Sequence, residues 1–143
     1  MTGKVLAVDP GEKRIGLAIS DETGTLSRGL AVINHVSMKE DCQKISRMAA
    51  ENEVNLILVG YPQGDNGEER PQTRHAKKIA ELLIEFSGLP VLLVDESGST
   101  RQARALRQEA GANRSQRGGH LDEVAAAVIL QTWLDLKHEE PHE

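Results

Sequence analysis

The first third of the chain alternates short apolar runs with turn formers. Lys4-Val5-Leu6-Ala7-Val8 is an aliphatic run closed by Asp9-Pro10-Gly11, Arg14 to Ser20 is a second run, and Thr25 to Ile33 is a third. Connections this short predict an antiparallel three-strand meander. Ser37-Met38-Lys39-Glu40 has the spacing of a capping box, where the Ser hydroxyl and the Glu carboxylate satisfy free N–H groups at a helix start. A helix to about Asn52 should follow, with Ile45, Met48 and Ala49 turned inward.

Beyond it the pattern changes. Asn55 to Gly60 and Pro90 to Val94 are continuous apolar runs, the signature of strands covered on both faces. Between them Pro71 to Ser87 reads as a helix, with Gly88 as its stop. Ser99-Thr100-Arg101-Gln102 offers another cap and Gly111 another stop, and a last helix is expected from about Gly119 to Lys137. Strand and helix in alternation predict parallel crossovers. Joined to the meander, they make an α/β domain with a mixed sheet and helices on both faces. Neither a repeat nor a Pro/Gly-rich linker interrupts the chain, so residues 1–137 read as one domain and 138–143 as a short polar tail.

Composition narrows the class. The 143 residues suit a single core, and Lys+Arg 17 against Asp+Glu 22 gives a net charge of −5, with 38% hydrophobic and 27% charged residues. Disorder, collagen and coiled coil are excluded. With one Phe, one Tyr and one Trp the core is aliphatic, and base stacking on aromatic platforms is not a main binding device. Trp133 and Cys42 read as core residues. A single cysteine permits neither an internal disulfide nor a thiolate zinc site, which suits a reducing compartment, and no apolar run approaches the ~18 residues of a membrane span. A cytoplasmic location is expected. His75, His120, His138 and His142 lack zinc spacing.

In parallel α/β sheets ligands bind beyond the carboxyl ends of the strands, so acids at strand ends are candidates. Asp9 closes the first strand, Asp95-Glu96 closes Pro90 to Val94, and Asp122 lies in the first turn of the last helix. If Asp9, Glu96 and Asp122 converge, their mutual repulsion requires cations, and oxygen-only ligands select hard ones, Mg²⁺ or Mn²⁺. One or two such ions fit phosphodiester hydrolysis. Each acid also fits a plainer role: a turn residue, a solvated strand end, a helix-dipole partner. Spacing alone leaves both readings open.

The net negative charge argues against indiscriminate nucleic-acid binding. Between Ser97 and His120, however, Arg101, Arg104, Arg107, Arg114 and Arg117 face one acid, Glu109, and the first three recur every third residue. This segment joins two of the candidate acids, where a phosphate backbone needs neutralising, although a solvated basic helix face has the same pattern. Lys13 and Arg14 extend the patch. Tyr61 to Gly67 is either a substrate-gripping loop or a connector.

At these motifs the sequence resembles the YqgF/RuvX family of pre-16S rRNA nucleases, also described as Holliday junction resolvases. VDPGEKRIGLAIS (8–20), LILVGYPQGDNGEERPQTRHAKKIAELL (56–83), LPVLLVDESGST (89–100) and GGHLDEVAAAVILQTWL (118–134) carry the resemblance, in order, over nearly the whole chain. It implies an RNase H-like fold, an acidic triad at Asp9, Glu96 and Asp122, and a basic pair at Lys13 and Arg14. Ser97 stands where the family usually has Arg, and Gly64 and Asn66 replace its usual loop Asn and Asp.

The resemblance thus implies a metal-dependent endonuclease leaving 5′-phosphate ends, acting on RNA in 5′-end maturation of pre-16S rRNA, as monomer or homodimer. A branched-DNA resolvase and a catalytically silent RNA-binding module are the rivals. A nucleotide-binding protein of the actin and sugar-kinase fold also begins Asp-x-Gly, but needs two domains and a second phosphate loop.

Overall fold

The computed structural model describes residues 3–61, 71–95 and 122–139. Five strands form one sheet in the order β3-β2-β1-β4-β5: β1 Lys4–Pro10, β2 Arg14–Ser20, β3 Ser27–Asn34, β4 Val54–Tyr61 and β5 Val91–Asp95. β1, β2 and β3 pair antiparallel, whereas β1 with β4 and β4 with β5 pair parallel. This is the mixed sheet that the alternation of apolar runs predicts.

The two hairpin turns have different causes. In the β1–β2 turn a Cβ on Gly11 would stand 2.3 Å from the Arg14 carbonyl oxygen, so only glycine lets the chain double back this closely. In the β2–β3 turn the Asp21 carboxylate accepts the Thr25 N–H (2.8 Å), the Thr23 hydroxyl (2.9 Å) and the Leu26 N–H (3.3 Å), around Gly24 at φ 70°. These donors, Thr25 first, hold the Asp21 carboxyl below the usual carboxylate range. They also tie Thr25 and Leu26 into the turn, so β3 starts at Ser27 rather than at Thr25 as expected.

Helix α1 (Met38–Glu51) starts as its capping spacing predicts, with the Ser37 hydroxyl accepting the Glu40 N–H at 3.1 Å. Helix α2 (Pro71–Ser87) ends at Gly88, whose φ of +71° is the left-handed stop expected there. Both pack on one face of the sheet, where Leu6, Val8, Leu17, Ile57 and Val59 meet Cys42, Ile45, Ala49, Ile79 and Leu83. Of the positions expected inward on α1, Ile45 and Ala49 are buried and Met48 is half-buried. Cys42 is a buried core residue, and burial pushes its thiol up to about 11.

Helix α3 (Asp122–Glu139) covers the other face. There Val5, Ala7, Ala18 and Leu58 meet Ala126, Ala127, Leu130 and Leu134, and the alanines on both sides let backbone approach backbone. Gln131, buried under this helix, accepts the Ser27 N–H (3.0 Å) and donates to the Thr25 carbonyl (2.9 Å), while the Ser27 hydroxyl donates to the Ala127 carbonyl (2.7 Å). The helix runs two residues beyond the expected Lys137, and His138 Nε2 lies 2.9 Å from the Gly24 carbonyl oxygen. Trp133 is only half-buried, with the Lys137 ammonium 5.5 Å from its ring centre.

One expectation fails. The Pro90 to Val94 run, read as a strand covered on both faces, is the sheet edge β5, and Leu92 and Leu93 are 45% and 38% exposed. A continuous apolar run marks buried strands and hydrophobic edges alike, because strand order is not written in local pattern. The helix expected from Ser99 to Gly111 and the Pro62–Gly67 part of the loop lie outside the described residues. No helix among the described residues is long and apolar enough to cross a membrane.

Candidate functional site

The sheet topology brings several chain segments to one edge. β1, β4 and β5 run parallel, so their carboxyl ends lie together, and the antiparallel meander adds the start of β2 and the end of β3. Asp9 is the next-to-last residue of β1, the central strand. Side chains alternate along a strand, and Val5 and Ala7 face α3 while Leu6 and Val8 face α1 and α2. Asp9, half-buried, therefore belongs to the α3 face.

Its neighbours on both sides are glycines. Gly16 stands directly opposite on β2, and on β4 Gly60 follows Val59, the partner of Val8. The nearest positions on both flanking strands, Gly16 and Gly60, thus carry no side chain of their own. The two glycines went unsingled in the sequence, where Arg-Ile-Gly and Val-Gly-Tyr look like ordinary strand residues until the register aligns them.

The start of α3 comes to the same end by arithmetic of rise. Gln131 is bonded to Ser27, which pairs with Ser20 at the far end of β2. From Ser20 back to Gly16, the partner of Asp9, the strand covers about 13 Å at ~3.3 Å per residue. From Gln131 back to Asp122 the helix covers about 13.5 Å at 1.5 Å per residue. The first residue of α3 thus lies toward the Asp9 end of the sheet. The Asp122 side chain and all of Glu96 lie outside the described residues; Glu96 directly follows Asp95, which pairs with Tyr61 at the end of β5.

Of the basic residues, Lys13 and Arg14 are described, and both are exposed in and after the turn that Asp9 opens. Arg14 shares the alternation of Gly16 and Ala18, hence the face of Asp9, and pairs with Asn34 across β2 and β3. Arg101, Arg104, Arg107, Arg114 and Arg117 lie outside the described residues. Sequence reasoning also missed a polar pair at this edge. His35 Nδ1 lies 2.5 Å from the Asp41 carboxylate, which is buried in the first turn of α1. A histidine in a loop carries no pattern, and its partner is six residues away.

The described arrangement is a carboxylate at the carboxyl end of a central strand, beside two glycines, with two cations on the adjoining turn. Among the described residues no group of three His, Cys, Asp or Glu is placed to hold a metal; the Asp9 carboxylate offers oxygen, which suits a hard divalent cation, and the neighbouring cations suit phosphate.

The family profile described as "RuvX: Holliday junction resolvase" matches residues 3–136. A protein of Thermoanaerobacter pseudethanolicus named "Putative pre-16S rRNA nuclease" is 38% identical over 133 residues, covering 92% of this chain and 96% of its own. One of the same name from Anaeromyxobacter sp. is 38% identical over 135 residues, covering 94% and 98%. Among solved structures, T. thermophilus RuvC in complex with a Holliday junction substrate superposes with a TM-score of 0.57 at 16% identity, covering 95% of this chain and 96% of that one. The fowlpox virus resolvase with Holliday junction DNA gives a TM-score of 0.57 at 14% identity, covering 96% and 99%. These two likenesses show an RNase H-like fold of the RuvC type.

Proposed function

Because this chain belongs to the RuvX family, whose chemistry is nuclease hydrolysis of phosphodiester bonds, we propose that it is a divalent-metal-dependent endonuclease acting on RNA in 5′-end maturation of pre-16S rRNA in the cytoplasm. The observation that carries the reading is the position of Asp9: a half-buried carboxylate at the carboxyl end of the central strand, with Gly16 and Gly60 on either side. Metal-dependent hydrolysis needs an anionic ligand fixed in this way.

The donor set fits Mg²⁺ or Mn²⁺. Asp9, Glu96 and Asp122 would hold one or two ions, since carboxylates brought together at one strand end repel unless a cation compensates. When bound, such ions lower the pKa of a water and stabilise the departing oxygen of an in-line displacement, which leaves 5′-phosphate and 3′-hydroxyl ends. The chain's own residues do the rest. Asp9 is anchored by a strand paired on both sides, so its carboxylate is placed before substrate arrives. Lys13 and Arg14 approach the same edge from the turn and would neutralise phosphates flanking the scissile bond, with Arg101, Arg104, Arg107, Arg114 and Arg117 extending the grip.

The test is cleavage of a precursor rRNA fragment by the purified protein with Mn²⁺. Asp9→Asn keeps the shape and removes the charge, and should abolish the activity; equal cleavage by the variant overturns the assignment.

The family profile's description as a resolvase supports a second reading, cleavage of a four-way DNA junction. Such an enzyme cuts two strands symmetrically and works as a dimer. A protein that is monomeric in solution and leaves junctions intact while cutting rRNA would exclude it.

A further inference from the structure

We propose that His35, held by the Asp41 carboxylate, is a backbone-phosphate contact for the nucleic-acid substrate, a positioning residue that continues the Lys13 and Arg14 pair around the edge of the sheet. The inference rests on the nuclease reading above and adds a residue to it.

Position comes first. β3 ends at Asn34, opposite Arg14, so His35 stands at the sheet edge where Asp9 lies. Its N–H donates to the Lys13 carbonyl at 2.9 Å, which ties it to the turn that Asp9 opens. β1 and β3 are two strand spacings apart, about 9.5 Å. Arg14 belongs to the α3 face and the chain after His35 enters α1 on the other. His35, Lys13 and Arg14 therefore follow one another along this end of the sheet, His35 on the side of α1 and Arg14 on the side of Asp9, and a nucleotide backbone crossing that end would meet all three.

Orientation comes second. Asp41 is 5% exposed and has two oxygens, and both are used: one accepts the Val36 N–H at 3.0 Å, and the other lies 2.5 Å from His35 Nδ1. With the carboxylate accepting, Nδ1 is the donor and Nε2 is the ring's remaining hydrogen-bonding atom. The ring is 38% exposed. The Asp41 bond to Val36 and the Ser37 cap close the β3–α1 connection, and the His35 bond satisfies the second oxygen of the buried carboxylate and also acts on the ring. That bond presents a ring with a set rotamer, as metal-binding and catalytic histidines are set by carboxylates behind them. To contact a phosphate oxygen as a donor, Nε2 carries a hydrogen of its own, so that one ring N–H points to Asp41 and the other to the phosphate. Glu12 in the turn and Glu40 on α1 are the acids nearby in sequence, against Lys13, Arg14 and Lys39.

The experiment measures binding of a single-stranded oligoribonucleotide by fluorescence anisotropy over a salt series, with thermal unfolding of each variant alongside. His35→Ala and His35→Gln should weaken binding about tenfold and make the salt dependence shallower by about 0.7 in logarithmic slope, one phosphate contact on a single strand. His35→Arg should restore affinity and slope, and Asp41→Asn should lose part of both. Wild-type affinity and slope in His35→Gln, or a loss that His35→Arg does not rescue, overturns the proposal. If the wild type cuts RNA and His35→Gln binds like it, only this inference falls; a wild type that neither binds nor cuts RNA overturns the nuclease reading as well.

Discussion

Gln131 and Ser27 lie 104 residues apart in sequence, yet the Gln131 side-chain oxygen accepts the Ser27 N–H at 3.0 Å. The same amide donates to the Thr25 carbonyl and to Asp135, so a buried side chain satisfies backbone groups at the start of β3 that no neighbouring strand reaches. Gln131 therefore fixes the height of α3 on the sheet, and with it the place of Asp122. Gln131→Leu leaves those groups unpaired, and should cost about 1–3 kcal/mol in urea unfolding. A loss under 0.5 kcal/mol would mean that water replaces the amide.

Close approach of α3 rests on small residues. Ala7 and Ala18 on the sheet face Ala126 and Ala127 on the helix, all nearly or fully buried. Ala126→Leu inserts three carbons where there is no space, and should cost about 1–3 kcal/mol. By lifting α3 it should also reduce cleavage more than a stability loss of that size predicts. Cleavage at the wild-type rate in the folded variant would show that the helix position does not matter to the site.

Gly11 allows the turn that joins Asp9 to Lys13. A Cβ there meets the Arg14 carbonyl oxygen at 2.3 Å, and backbone, unlike a flexible side chain, has nowhere cheap to go. Gly11→Ala should cost about 1–3 kcal/mol and, since misplacement by about 1 Å can cost a hundredfold in rate, lower activity by about that factor. Steady-state cleavage and thermal unfolding of the same sample separate the two effects.

Cys42 makes stability depend on alkaline pH. Burial raises its thiol from the ordinary 9.0 to about 11 in the folded protein. The unfolded chain thus ionises first: the contribution is fully present below about pH 9 and is lost as pH rises through about 11. Urea unfolding at pH 8 and pH 10.5 should show a larger decline for the wild type than for Cys42→Ala. A parallel decline in both would assign the loss to other groups. In native conditions the thiol should react with Ellman's reagent only as fast as the protein opens.

Much of this fold is legible before any coordinates. Ser37 with Glu40 predicts where α1 starts, and Gly88 predicts where α2 stops, because caps and left-handed stops act through the nearest few residues. Core alternation in β1 is equally local. What local pattern lacks is lateral order: Pro90 to Val94 has the composition of a buried strand and lies at an edge, and Gly16 and Gly60 become neighbours of Asp9 only through register. Asp9 itself is readable as a strand-end acid, whereas the pairing of His35 with Asp41 depends on how β3 turns into α1. For Glu96, the Asp122 side chain and the arginines from Arg101 to Arg117, the acidic and basic pattern remains the guide.

The central place of β1 has a consequence for how the molecule breathes. Its amides are bonded to β2 on one side and β4 on the other, with helices over both faces, so no fraying edge exposes them. They can trade deuterium only when the whole domain comes apart, while those of β5 and β3 exchange through smaller openings. The carboxylate of Asp9 sits on the last segment to yield, and local fluctuation elsewhere leaves it in register.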